Sequence, residues 1–96
     1  MKKGYTYIMS NYQRTVLYIG VTSDIENRVN EHKELIGSKF TSKYKCTFLL
    51  YYEEHDSIVD AIDREKLLKN WNKDWKWDLV KSVNPNLNDL YDELFD

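Results

Sequence analysis

Three charged or titratable side chains stand where the pattern of the chain calls for hydrophobes. After Gly20, Ile25, Val29 and Ile36 recur at helical spacing, and at about 100° per residue His32 falls among them on the apolar face. Arg28 precedes His32 by one turn, at the edge of that face beside Leu35. Further on, Glu65 interrupts a stripe made by Ile58, Ala61, Ile62 and Leu68, and Lys69 shares its face one turn later. A charge directed at a core is costly unless it is paired, hydrogen-bonded or bound to a metal. Either the chain has built buried ion pairs and a hydrogen-bonded core histidine, or it has lined a cleft for proton transfer and ion binding. Taken singly, each residue reads as structural, and Tyr7 and Tyr18 in strand-like runs read as packing. Taken together, the three favour a site.

The elements that would position them are short. Residues 5–9 and 16–20 are aromatic and β-branched, and the polar stretch SNYQRT between them suggests a hairpin with a longer loop. Residues 47–53, TFLLYYE, read as a third strand. Ser23 with Glu26 three residues on reads as a capping box that starts the first helix, and Gly37 is placed to stop it. A second helix is expected from Asp56 or Ser57 to about Trp71, and a third over residues 74–82, ending before Asn84-Pro85. Residues 88–95 add a last turn or two that packs Leu90, Tyr91 and Leu94. The order β-β-α-β-α-α describes an α+β domain over residues 1–96, a three-stranded antiparallel sheet flanked by helices.

Bulk properties bound the function without choosing it. The 96 residues fit one domain, and 42% hydrophobic with 15% aromatic content supplies one modest core. Cys46 is the only cysteine, so no internal disulfide forms and a reducing, cytoplasmic setting is expected. The N-terminus turns polar too soon for a signal peptide, and no apolar run approaches the ~20 residues that cross a bilayer. A soluble protein with no membrane partner is expected. Net charge is −2, which is no global signature of a nucleic-acid binder. Locally, residues 39–45 hold three lysines and no acid, residues 66–81 hold five lysines against Asp74 and Asp78, and residues 88–96 hold four acids. A solvated mixed surface accounts for these blocks as well as a phosphate-facing patch does.

Beyond the periodicity, Tyr5-Thr6-Tyr7 followed by Tyr18-Ile19-Gly20 resembles the paired motif of the GIY-YIG nuclease superfamily, with only the final tyrosine of the first element kept, at Tyr7. The likeness continues in order through Thr22, the Arg28 helix, EHK at residues 31–33, FTSKY at residues 40–44, REK at residues 64–66, Lys69, Trp71 and Asn84-Pro85. It spans almost the whole chain and is most similar to the small single-domain bacterial members. One departure is Val21, which stands where DNA-repair relatives carry a basic residue, so one phosphate contact is missing.

The resemblance implies that Tyr7, Tyr18, Gly20, Arg28, His32, Glu65 and Asn84 line one catalytic face. It makes Glu65 the single protein ligand of one divalent ion, Mg²⁺ or Mn²⁺, and puts Tyr18 near the attacking water. These residue types suit phosphodiester hydrolysis. A carboxylate holds a hard cation whose shell is completed by waters and phosphate. A guanidinium clamps phosphate through paired hydrogen bonds that lysine does not reproduce. A phenol with a reference pKa of about 10 is an inefficient base until nearby cations favour its phenolate. His32 would relay the proton or orient Tyr18, and Gly20 would let substrate approach the backbone. The expected activity is therefore a metal-dependent endonuclease acting on DNA, with RNA as the alternative substrate, and with weak, salt-sensitive and sequence-independent binding. Two other classes stay open: a non-catalytic nucleic-acid-binding module, and a protein-interaction domain using the tryptophans of NWNKDWKWDL. Asn84 before Pro85 either orients the site or shapes a turn.

Overall fold

The two aromatic, β-branched runs of the N-terminal third pair with each other as expected, and the third run joins them from far along the chain. In the computed structural model, which describes residues 2–95, β1 (Gly4–Ser10) lies between β2 (Leu17–Thr22) and β3 (Phe48–His55), antiparallel to both. Asn11 shapes the hairpin loop: its Oδ1 accepts from the backbone N–H groups of Thr15 and Val16 at 2.9 and 3.0 Å.

Helices cover both faces of the sheet. One face carries Tyr7, Met9 and Leu49 against Ile25 and Val29 of α1 (Ile25–Lys33), with Leu90, Tyr91 and Leu94 packed alongside as expected. The other carries Ile8, Ile19, Leu50 and Tyr51 against α3 (Ile58–Asn70) and α4 (Lys73–Val83). Alternation assigns each strand residue to its face, with one irregularity. Ile8 pairs with Tyr51 but Met9 pairs with Leu49, so Leu50 is an extra residue, and Leu50 and Tyr51 both face α3 and α4. This bulge explains why the run FLLYY lacks alternation.

The start and end of the first helix differ from expectation. Its cap is Asp24, whose carboxylate accepts from Asn27 N at 3.2 Å; the Ser23–Glu26 box does not form. A carboxylate at this position combines the capping bond with the favourable helix dipole. The helix stops at Lys33, well before Gly37. Leu35 adopts φ 64°, Leu35 N donates to His32 O and Ile36 N to Glu31 O, the paired bonds of a Schellman ending without its usual glycine. Ile36 is consequently 67% exposed and adds nothing to the apolar stripe.

A short helix, α2 (Lys39–Tyr44), follows where no helix was expected, capped by Ser38. It makes the observed order β-β-α-α-β-α-α with a closing 3-10 turn at Tyr91–Phe95. Trp71 and Trp77 pack against the α3–α4 core while Trp75 is 56% exposed, so packing accounts for two of the three tryptophans. Asp89 ties the C-terminal segment down: its Oδ1 accepts from Leu49 N at 3.1 Å and its Oδ2 pairs with Lys33 at 2.5 Å. No helix among the described residues is long and apolar enough to cross a membrane.

Candidate active site

Tyr7 points from the central strand toward α1 and is fully buried. Its partner across the sheet is Gly20. A Cβ at Gly20 would lie 2.4 Å from the Tyr7 ring and hydroxyl, so the missing side chain makes room for this phenol. Tyr7 Oη lies 2.8 Å from His32 Nε2, and His32 Nδ1 lies 3.0 Å from Thr41 Oγ1. Thr41 in turn meets Ser38 Oγ at 2.8 Å, and the Thr41 backbone N–H donates to the same atom at 3.1 Å.

Counting donors assigns the protons. The buried Tyr7 O–H needs an acceptor, and His32 Nε2 is one; Nδ1–H then donates to Thr41, whose hydroxyl donates onward to Ser38. Burial, with Arg28 adding to it, lowers the His32 pKa from 6.5 to about 4, so the imidazole is neutral at neutral pH. Burial chiefly raises the Tyr7 pKa, with Tyr18 and Glu65 adding to the rise and Arg28 opposing it. The Tyr7–His32 pair is a neutral, hydrogen-bonded unit. Gly37 belongs to it, because a Cβ there would stand 2.2 Å from His32 Nδ1.

Tyr18 covers this unit on its more exposed side. Its ring lies 5.4 Å from His32, edge-on, 6.4 Å from Tyr7, and 5.8 Å from Phe40, on which it stacks. Arg28 is partly exposed and gives one N–H to Glu31 at 3.2 Å, one of the five its fork carries. Burial works against its charge, but Tyr7 and Glu31 outweigh that and hold it ionised.

Glu65 comes from the other helix layer, on α3, near enough to Tyr7 to act on its ionisation. Its side chain is 16% exposed and pairs with Lys69 at 3.3 Å. No group of three or more metal-ligating side chains occurs among the described residues, so a tetrahedral nitrogen and sulfur set is not what this site offers. A single hard oxygen donor fits a cation of the Mg²⁺ type, which keeps most of its shell as water and substrate oxygen.

Asn84 behaves differently. Its Nδ2 donates to Leu50 O at 3.0 Å and Asn88 O at 2.8 Å, and its Oδ1 accepts from Asn88 N at 3.1 Å. The amide is fully engaged in fastening the end of α4 to β3, the turn-shaping role of the two expected. Reasoning from sequence missed Thr41, Ser38 and the fit of Gly37 to His32. The available signal was the cap-like Ser38 before FTSKY, which lacks an apolar stripe to mark it as a helix.

A second charged cluster lies toward the far end of β3. Glu53 accepts from Arg64 Nε at 2.7 Å, pairs with His55 Nε2 at 3.0 Å, and accepts from the Tyr51 hydroxyl. Burial alone would raise the Glu53 pKa, but these three partners lower it, and burial with Glu53 pushes Tyr51 up to about 12.

Residues 3–78 match the model of the GIY-YIG catalytic domain. The chain is 35% identical over 82 residues to a UPF0213 protein of Syntrophus aciditrophicus (strain SB), covering 84% of this chain and 93% of that relative. It is 38% identical over 68 residues to the UPF0213 protein SpyM3_1077 of Streptococcus pyogenes serotype M3, covering 71% and 73% of the two. No solved structure matches the chain.

Proposed function

This chain belongs to the GIY-YIG catalytic domain family, and from that premise we propose that it is a metal-dependent nuclease hydrolysing phosphodiester bonds in DNA or RNA. The observation that carries the reading is the neutral Tyr7–His32–Thr41 unit lying beneath a more exposed tyrosine and arginine. A protein that only packed its core would have no use for Tyr18 and Arg28 gathered over such a unit.

Each residue then has a task. Arg28 presents the N–H groups not taken by Glu31 and Tyr7 to the phosphoryl oxygens. Tyr18 orients the attacking water with its hydroxyl, and its ring rests on His32. Tyr7 and His32 hold that ring at a fixed height and keep water out from below, which preorganises the attack. Glu65 would hold Mg²⁺ or Mn²⁺, which when bound supplies neutralisation of charge on the phosphate and the departing oxygen. Gly20 and Asn84 act on structure, the first by admitting the Tyr7 ring and the second by fixing the α4 turn. The lone buried thiol, Cys46, suits action in a reducing cytoplasm.

Cleavage of DNA and RNA oligonucleotides with Mg²⁺ or Mn²⁺ tests this. Tyr18→Phe and Glu65→Ala should each lower the rate by about a hundredfold or more while remaining folded. Undiminished cleavage by both folded variants removes the assignment. Binding without cleavage by the wild type makes the domain a non-catalytic nucleic-acid-binding module.

A further inference from the structure

β2 is an open edge of the sheet, and the start of that edge is bordered on both sides. A groove of about 410 Å³ runs there, with Leu17 on its floor, Phe40 and Tyr44 of α2 on one rim, and Lys73 and Lys76 of α4 on the other. The two helices belong to opposite layers of the fold, so the groove crosses the sheet edge.

Its two rims differ in chemistry. Phe40 and Tyr44 are 42% and 41% exposed, large for aromatic residues with a core beside them. They extend a series that begins in the candidate site: Tyr18 stacks on Phe40 at 5.8 Å and Phe40 meets Tyr44 at 4.8 Å. Lys43 lies 5.3 Å from the Tyr44 ring. Among the described residues, neither Lys73 nor Lys76 is paired with a carboxylate; their ammonium groups reach only the backbone oxygens of Thr15 and Lys69. Aromatic faces beside uncommitted cations are what a single nucleic-acid strand requires, because every base has a π face and every linkage a negative charge. A duplex keeps both faces of each base covered by its neighbours, so it has nothing to offer these rings.

We infer that this groove is a subsite for an unpaired nucleotide, its base stacked on Phe40 and Tyr44 and its phosphates facing Lys73 and Lys76. The inference rests on the nuclease reading of the adjoining site and adds a substrate class to it. Because the ring series starts at Tyr18, the stacked base lies next to the bond that is cut. The substrate is then single-stranded, or locally unpaired, on one side of that bond.

Fluorescence anisotropy of the full chain in a chelating buffer, with a labelled single strand and the duplex of the same sequence, tests the subsite apart from chemistry. The single strand should bind more tightly than the duplex. Phe40→Ala and Tyr44→Ala should each weaken single-strand binding about 5- to 150-fold, while Tyr44→Phe stays near wild type. Lys73→Glu, on an exposed helix position, should weaken binding and reduce its salt dependence without disturbing the fold. Equal affinity for duplex and single strand, or full affinity in a folded Tyr44→Ala chain, overturns the subsite. Adding Mg²⁺ separates the two claims: tight single-strand binding without cleavage sinks the nuclease reading alone, and cleavage of fully paired duplex that is indifferent to Phe40→Ala and Tyr44→Ala sinks the subsite alone.

Discussion

Glu53 and Glu65 are almost equally shielded, with side chains 20% and 16% exposed, and both stand among basic residues. Burial therefore does not separate them; their partners do. Glu53 is held by Arg64, His55 and Tyr51 together, so its oxygens are filled by protein donors and its charge is fixed. Among the described residues Glu65 has one ion pair, to a lysine that is itself 53% exposed, and so keeps coordinating capacity that solvent or a cation can take. The two arginines divide by which cluster they serve. Arg64 bonds Glu53 and Tyr51 of the saturated cluster and lies 5.5 Å over Trp71, whereas Arg28 bonds Glu31 and the Tyr7 hydroxyl of the candidate site. A saturated charge cluster stabilises a fold, and an unsaturated one of similar depth is available for chemistry.

The sharpest way to break this contrast is to neutralise each carboxylate in turn. Glu65→Gln should lower cleavage about a thousandfold while changing unfolding free energy by less than about 1 kcal/mol, since an ion pair to an exposed lysine contributes little. Glu53→Gln should do the reverse. It leaves Arg64 and Tyr51 underpartnered and should cost about 1–3 kcal/mol in denaturant titrations, with cleavage per folded molecule near wild type. Equal effects on both properties in both variants would erase the distinction.

Acid separates the two clusters by pH window. His32 has a folded pKa of about 4 against 6.5 unfolded, so between these values the unfolded chain binds more protons. Its contribution, about 3 kcal/mol at most by the pKa difference, is complete above pH 6.5 and fades as pH falls toward 4. Glu53, with its pKa lowered from 4.5, contributes stability that is complete above the unfolded value and fades only below it. Stability measured against pH should thus lose its upper slope in His32→Gln and its lower slope in Glu53→Gln. A wild-type curve flat between pH 6.5 and 5 would contradict a buried neutral His32.

The smallest expected effect comes from exchanging arginine for lysine. Arg28→Lys should reduce cleavage about tenfold or more by removing the planar fork, while Arg64→Lys should leave cleavage per folded molecule unchanged. Equal losses in the two variants would mean that Arg28 acts as a point charge rather than a clamp.

Much of this arrangement was legible in the residues themselves. β-branched and aromatic runs marked all three strands, the apolar stripe of α3 marked that helix, and Asn84-Pro85 marked the end of α4. Glu65 stood out because it broke such a stripe. Three things stayed hidden for identifiable reasons. α2 has six residues with only Thr41 buried, so it offers no periodicity to read. The end of α1 is a leucine in a left-handed conformation, a place where glycine is the usual signal, and the glycine two residues later serves His32 instead. Gly20 was visible as a motif residue, but the aromatic ring filling its space comes from another strand and is set by register. Local pattern finds elements; what those elements press against each other is a tertiary fact.

The extra residue at Leu50 has a consequence at the level of the gene. Beyond it, every side chain of β3 is out of phase with the residues before it, and this alone puts Glu53 on the face of Arg64 and Glu54 on the face of Tyr5. No single substitution changes that parity. Loss of the Leu50 codon would leave it intact as well, because the extra residue goes and Tyr51 then follows Leu49 in regular alternation. The bulge therefore gives the strand one residue of slack: an in-frame loss of three bases at Leu50 would keep Glu53 in the cluster that stabilises the fold, away from the layer that carries Tyr7 and His32.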